Sequence, residues 1–246
     1  MKYMGSKRRI AKHIIPIMLK HSRDGQFFYD CFTGGGNLIE NIPTNLKRVG
    51  IDINIFAIEA LKFIQTNVDL LPKNKTQFNE INYNNAKNDY KNGNHEFKYE
   101  LGYVGFALSY GGKFFGGWRR DKEEKRDYVL EAYKNARKQS KKIQDVLFFC
   151  YDYKKFKYQP NSIIYCDPPY QNTTKYKDDF NYNKFWDWCR KQIEHNQLVF
   201  VSKYTAPDDF ISIWSKELVS SLDKNTGSKK GIENLFVHKT QLEKLK

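Results

Sequence analysis

Six short apolar runs punctuate the chain: Phe27 to Phe32 (FFYDCF), Arg48 to Ile53 (RVGIDI), Val146 to Tyr153 (VLFFCYDY), Ser162 to Cys166 (SIIYC), Leu198 to Lys203 (LVFVSK) and Asn234 to His238 (NLFVH). Several lack strict apolar-polar alternation, the pattern of strands buried on both faces of a sheet. Between them, apolar residues recur at helical spacing over Arg8 to Lys20, Ile55 to Asn67, Lys122 to Lys142, Lys184 to His195 and Asp208 to Lys216. The alternation predicts an α/β fold with a mainly parallel, doubly wound sheet.

One stretch breaks the rhythm. From Pro72 to Gly93 the chain is polar and asparagine-rich, and from Asn94 to Lys142 it turns aromatic, glycine-rich and basic. Residues 85–143 therefore read as a mainly helical insertion in a core made of residues 1–84 and 144–246. A length of 246 residues suits one such core with an excursion.

Charge narrows the partners. A formal net charge of +14 favours contact with a polyanion, although a chain rich in lysine and asparagine throughout would carry some of that excess in any case. No apolar run approaches the ~20 residues of a membrane span, and the basic start MKYMGSKRRI is not followed by a long apolar segment, so a cytoplasmic protein is expected. Cys31, Cys150, Cys166 and Cys189 form no C-x-x-C, and the five histidines have no ligand spacing. Neither a disulfide nor a metal is expected, and the sequence sets no oligomeric state, a monomer being one option.

Two loops carry candidate chemistry. In YDCFTGGGN, Gly34, Gly35 and Gly36 follow the first strand directly, where the lack of a Cβ lets backbone approach a ligand. Asp52 follows 18 residues after Gly34 at the end of the second strand, close to the spacing at which an acid meets ribose hydroxyls. The loop lacks the G-K-[ST] ending of a P-loop, which disfavours phosphoryl transfer. In IIYCDPPY, two prolines end the strand at Asp167. That leaves a carboxylate, the backbone carbonyls of Pro168 and Pro169 and the ring of Tyr170 at the carboxyl end of a sheet, where open α/β folds bind ligands. Such acceptors suit an adenine amine, and such a ring suits stacking on a base.

These motifs together, with YMGSKRRI at the start and GIDIN after the glycine loop, resemble the Dam-like alpha group of S-adenosylmethionine-dependent DNA adenine-N6 methyltransferases, in the same order and over nearly the whole chain. The resemblance implies a Rossmann-like core with an inserted target-recognition subdomain, S-adenosyl-L-methionine as cofactor and double-stranded DNA as partner. It implies that Tyr3, Lys7, Phe32, Gly34, Gly35, Gly36, Asp52, Asp152 and Asp167 hold the cofactor. Asp167, Pro168, Pro169 and Tyr170 would act on a flipped-out adenine, with no metal needed. In the segment LSYGGKFFGGWRR and the helix after it, Lys113, Arg119, Arg120, Arg126, Arg137 and Lys138 are candidate DNA contacts. A solvated helix behind a glycine-rich hairpin is the plainer alternative for that segment. Three rival functions stay open on the sequence: a methyltransferase for an RNA adenine or a cytosine amine, an inactive DNA-binding module, and a nicotinamide oxidoreductase, which leaves DPPY without a task.

Overall fold

The computed structural model describes residues 1–121, 123, 125–169, 180–219 and 230–245. Helix α1 (Arg8–Met18) precedes β1 (Phe27–Asp30), β2 (Lys47–Asp52) and α2 (Ile55–Asn67). Helices α3 (Glu80–Lys91), α4 (Lys98–Ala107) and α5 (Tyr128–Ser140) follow, then β3 (Leu147–Cys150) and β4 (Ile163–Cys166). The chain continues through α6 (Tyr182–Glu194), β5 (Leu198–Lys203), β6 (Phe210–Val219) and β7 (Lys230–His238).

The strands form one seven-stranded sheet in the order β3-β2-β1-β4-β5-β7-β6. The first five run parallel, and β7 enters antiparallel between β5 and β6. The chain winds outward from β1 in one direction and from β4 in the other, so the crevice of this doubly wound sheet lies at the carboxyl ends of β1 and β4. One face is covered by an apolar cluster that includes Ile10, Ile14, Ile58, Leu61, Tyr103, Val104 and Ala136 from α1, α2, α4 and α5. The other holds Phe185, Trp186, Trp188 and Cys189 of α6 against Ile164, Cys166, Val199 and Val201. Trp186 and Trp188 are thus packing residues.

Two sequence expectations need correction. Residues 208–216, expected to be helical, lie largely in β6. Ile211 and Ile213 are β-branched and favour strand, and the segment pairs with β7 through a register shift between Ser212 and Trp214. That partner lies far along the chain, so helical spacing alone misled. The helix expected from Lys122 starts only at Tyr128, because the Asp127 side chain accepts the Leu130 N–H at 2.9 Å as an N-cap. Within the polar stretch, Asn79 and Asn82 form a reciprocal cap that starts α3, which buries Tyr83 and Ala86.

Candidate active site

Strand β4 is buried along its length and stops where Pro168 can no longer donate to the ladder. The Asp167 carboxylate then meets the Lys7 ammonium at 2.9 Å, and Lys7 also reaches Glu233 of β7 at 3.2 Å. All three side chains are largely buried, with exposures of 9% for Lys7, 16% for Asp167 and 3% for Glu233. Burial alone would lower the Lys7 pKa, but the charges and hydrogen bonds of Asp167 and Glu233 outweigh it and hold the ammonium above its ordinary value. A fixed ammonium thus stands beside the Asp167 carboxyl group. Beneath the exit, Tyr165 donates to Ser202 at 2.8 Å. Tyr170 lies outside the described residues.

The glycine loop follows β1, the strand next to β4, and Asp52 ends β2, one strand further out. Asp52 accepts the Gly34 N–H at 2.8 Å and the Asn54 N–H at 2.9 Å. Burial nevertheless raises its pKa, because desolvation outweighs those backbone bonds. Gly34 takes a positive φ of 49°, and a Cβ there would stand 2.7 Å from the Tyr3 ring. A Cβ on Gly35 would stand 2.6 Å from the Tyr3 Cβ. The close approach that the glycines permit is thus made first by Tyr3, whose ring also packs on Phe106 at 4.7 Å. Phe32 packs against Tyr153 and, edge to face, against Phe185 on the other face. Asp152 follows β3, with the neighbouring Tyr151 N–H bonded to the Asp52 carbonyl at 3.0 Å; its side chain accepts from Lys154 N–H at 2.9 Å.

Asp30 was not singled out in the sequence, although an acid at the strand end just before a glycine loop is a readable signal. It is 2% exposed, and one carboxylate oxygen has no hydrogen-bond partner among the described residues. Burial, followed by the charges of Asp167 and Asp52, pushes its pKa well up against one opposing backbone N–H from Phe32. Three carboxylates, Asp30, Asp52 and Asp167, therefore end β1, β2 and β4 around the crevice. Among the described residues no three His, Cys, Asp or Glu side chains are grouped as metal ligands. Burial and mutual repulsion disfavour the charged forms of Asp30 and Asp52, so a bound cation, such as an ammonium or a sulfonium, would relieve them.

The basic segment is divided in its roles. Residues 109–118 close as a hairpin through a Ser109–Trp118 bridge, with the Tyr83 hydroxyl bonded to Ser109 at 2.7 Å and accepting the Gly117 N–H at 3.1 Å. Phe115 is buried and Phe114 and Trp118 pack against the core, so these aromatics are structural. The hairpin rests on the N-terminal segment, with Met4 N–H bonded to the Gly112 carbonyl at 3.0 Å, and Lys113 and Tyr110 remain exposed beside it. Arg119 and Arg126 lie over the Tyr128 ring at 3.7 and 4.8 Å and share Glu131. Arg120 pairs with Glu80, Arg137 with Asp69 at 3.6 Å, and Lys138 is exposed on α5. The six basic candidates are thus spread over a surface; only Arg119 and Arg126 are brought together.

The sequence model of the D12 class N6 adenine-specific DNA methyltransferases matches residues 3–198, from the segment on the glycine loop to the start of β5. The chain belongs to this family. Within the D12 class match lie Tyr3, Lys7, the glycine loop, Asp52, the basic segment and Asp167, while Lys203 and Glu233 fall beyond its end. The chain is 25% identical over 209 residues to the type II methyltransferase M.FokI of Planomicrobium okeanokoites, which covers 77% of this D12 class chain and 31% of M.FokI. It thus spans about a third of that relative's length. Similar solved structures include TrmN from Thermus thermophilus, with a TM-score of 0.39, 10% identity and 94% and 48% of the two chains covered. A conserved hypothetical protein from Streptococcus pyogenes gives a TM-score of 0.37, 9% identity and coverage of 92% and 96%.

Proposed function

We propose that the chain transfers the methyl group of S-adenosylmethionine to the N6 amine of an adenine in double-stranded DNA, as a member of the Dam-like alpha group. The observation that carries this reading is the Asp167-Pro168-Pro169 strand exit, with its carboxylate held by Lys7, at the rim of a crevice lined by the carboxyl groups of Asp30 and Asp52.

S-adenosylmethionine supplies an electrophilic methyl on a sulfonium. The residues present fit such a group: the partnerless oxygen of buried Asp30 offers an acceptor to its ammonium, and Asp52 can exchange backbone donors for ribose hydroxyls. Tyr3, Phe32 and the three glycines form the wall, and Asp152 is the candidate for the adenine end. The target amine is a weak nucleophile because its lone pair is delocalised into the ring. Hydrogen bonds from its two N–H groups to Asp167 and the Pro168 carbonyl favour a pyramidal nitrogen and return the pair to attack. Preorganised acceptors of this kind are worth about 10²–10³ in rate each, by analogy with oxyanion-hole donors. The methylated amine sheds its proton readily, so Asp167 serves as an ionised acceptor and needs no raised pKa. Its pairing with Lys7 supports that role. A duplex base reaches this site only when flipped, and Tyr170 is the residue proposed to receive it.

Residues 85–143 are proposed as the DNA-reading part and residues 1–84 with 144–246 as the transfer core. Arg119 and Arg126, set on Tyr128, would supply the first phosphate contacts, with Lys113, Arg120, Arg137 and Lys138 around them. The test is transfer of labelled methyl from S-adenosylmethionine to unmethylated duplex DNA by wild type and Asp167→Ala, with the product digested to nucleosides. Label in N6-methyladenine from wild type, reduced at least about 10²-fold in Asp167→Ala, is the expected result. Label in cytosine, or transfer to RNA only, would move the reading to another amine. Cofactor binding without transfer to any nucleic acid would replace it with a binding module.

A further inference from the structure

The strand exit is held from both faces of the sheet, and only one of the two holds was visible in the motifs. On the α1 face stand Lys7 and Glu233. On the α6 face, Tyr182, the first residue of α6, donates its hydroxyl to the Pro169 carbonyl at 3.0 Å. The ammonium of Lys203, the last residue of β5, lies 3.6 Å from the centre of the Tyr182 ring. Lys203 is 3% exposed, and among the described residues no carboxylate lies within salt-bridge distance of it. Register explains the convergence. Cys166 pairs with Val201, so the end of β5 runs beside the prolines, and alternation turns Lys203 to the same face as Val201 and α6. Continuing the apolar alternation of LVFVSK with an aliphatic side chain would cover that face without burying a charge.

We propose that Lys203 and Tyr182 are positioning residues for the transfer reaction: the ammonium fixes the ring, the ring's hydroxyl fixes the Pro169 carbonyl, and the exit from Asp167 to Pro169 is thereby held in the geometry that accepts the target amine. A cation over an aromatic face is directional and is strengthened where water is excluded. A proline-rich exit has few backbone donors of its own, so a side-chain donor on Pro169 replaces the hydrogen bonds that the ladder would otherwise supply. Neither residue touches the reacting atoms; both act through the turn.

This rests on the methyl-transfer reading, so wild-type turnover on duplex DNA is measured first, and its absence would end that reading rather than this one. With wild type active, steady-state kinetics are compared for Tyr182→Phe, Lys203→Met and Lys203→Arg, each checked for a cooperative thermal transition. Tyr182→Phe and Lys203→Met should lower kcat about tenfold, the loss of one well-placed hydrogen bond, and leave KM for S-adenosylmethionine within about twofold. Lys203→Arg keeps a cation over the ring and should recover most of the loss. Unchanged kcat in Tyr182→Phe and Lys203→Met would overturn the proposal. So would a loss confined to KM for the cofactor, or an Arg variant no better than Met. If Lys203→Met fails to fold, Tyr182→Phe alone decides: a tenfold kcat loss upholds the brace and an unchanged kcat ends it.

Discussion

Two buried lysines stand at the same edge of the sheet, on opposite faces, and they are solved differently. Lys7 sits between Asp167 and Glu233 and its ammonium is held above the ordinary lysine range. Lys203 has a tyrosine ring where Lys7 has two carboxylates, and burial pushes its pKa down to about 8. The difference separates two uses of a buried cation. At Lys7 charge is neutralised on the spot, so structure and chemistry pull together. At Lys203 the desolvation is only partly offset by the ring, and a position that costs stability while bracing the reactive turn is where function and folding diverge.

The largest test of the contrast is to remove each cation. Lys7→Met leaves Asp167 and Glu233 buried and facing each other without a counter-charge. Such a break typically costs about 3–5 kcal/mol, and urea unfolding should show it, with loss of cofactor binding in parallel. A cost under about 1 kcal/mol would mean that solvent reaches the pair and that Lys7 is no keystone. Glu233→Gln is the smaller version. The amide keeps an acceptor for Lys7 and removes one charge, so about 1–2 kcal/mol is expected, with the Lys7–Asp167 contact kept and transfer retained within about tenfold. If Glu233→Gln instead abolished transfer while the fold survived, Glu233 would belong to the chemistry and not to the frame.

The same contrast explains what the sequence made legible. Asp167, Asp52 and Gly34 were readable because prolines, strand ends and missing Cβ atoms act locally: DPPY must leave the sheet, and an acid at that exit faces the crevice. The strands were readable because burial on both faces suppresses alternation. Glu233 was not readable, and the segment from Lys203 to Pro207 resembles a loop beside the base pocket without revealing Tyr182 as the partner of Lys203: one residue reaches Asp167 through β7 and the other reaches Tyr182 through β5, and register across a sheet is written in no single segment. The error at residues 208–216 has the same origin, a strand made by a distant partner. Phe114 and Trp118 stand among glycines and basic residues in the sequence, and a hairpin tied to Tyr83 packs them against the core. Asp30 was a different matter: its signal was local and was outweighed by the glycines beside it.

The smallest predicted effect is the sharpest, because its sign is opposite for the two lysines. For Lys7 the folded pKa lies above the unfolded value of 10.5, so its stabilisation is complete below pH 10.5 and fades only as pH rises through the folded value. For Lys203 the folded pKa is about 8 against 10.5 unfolded. Below pH 8 both states carry the proton and the burial cost stands in full. Between pH 8 and 10.5 the unfolded chain binds more protons than the folded one, so this residue's contribution to stability rises with pH. Lys203→Met removes the titrating group. At pH 7 the variant should therefore be more stable than wild type, by about 1 kcal/mol once the lost ring contact is set against relieved desolvation. That margin should shrink from pH 8 upward and reverse before pH 10.5, because the wild type alone gains stability across that window, while Lys7 and the tyrosines are common to both chains and cancel in the difference. Guanidinium unfolding at half-unit pH steps would read the difference curve. Parallel curves would show that Lys203 reaches water and would remove the stability side of the contrast, leaving the two lysines distinguished by kinetics alone.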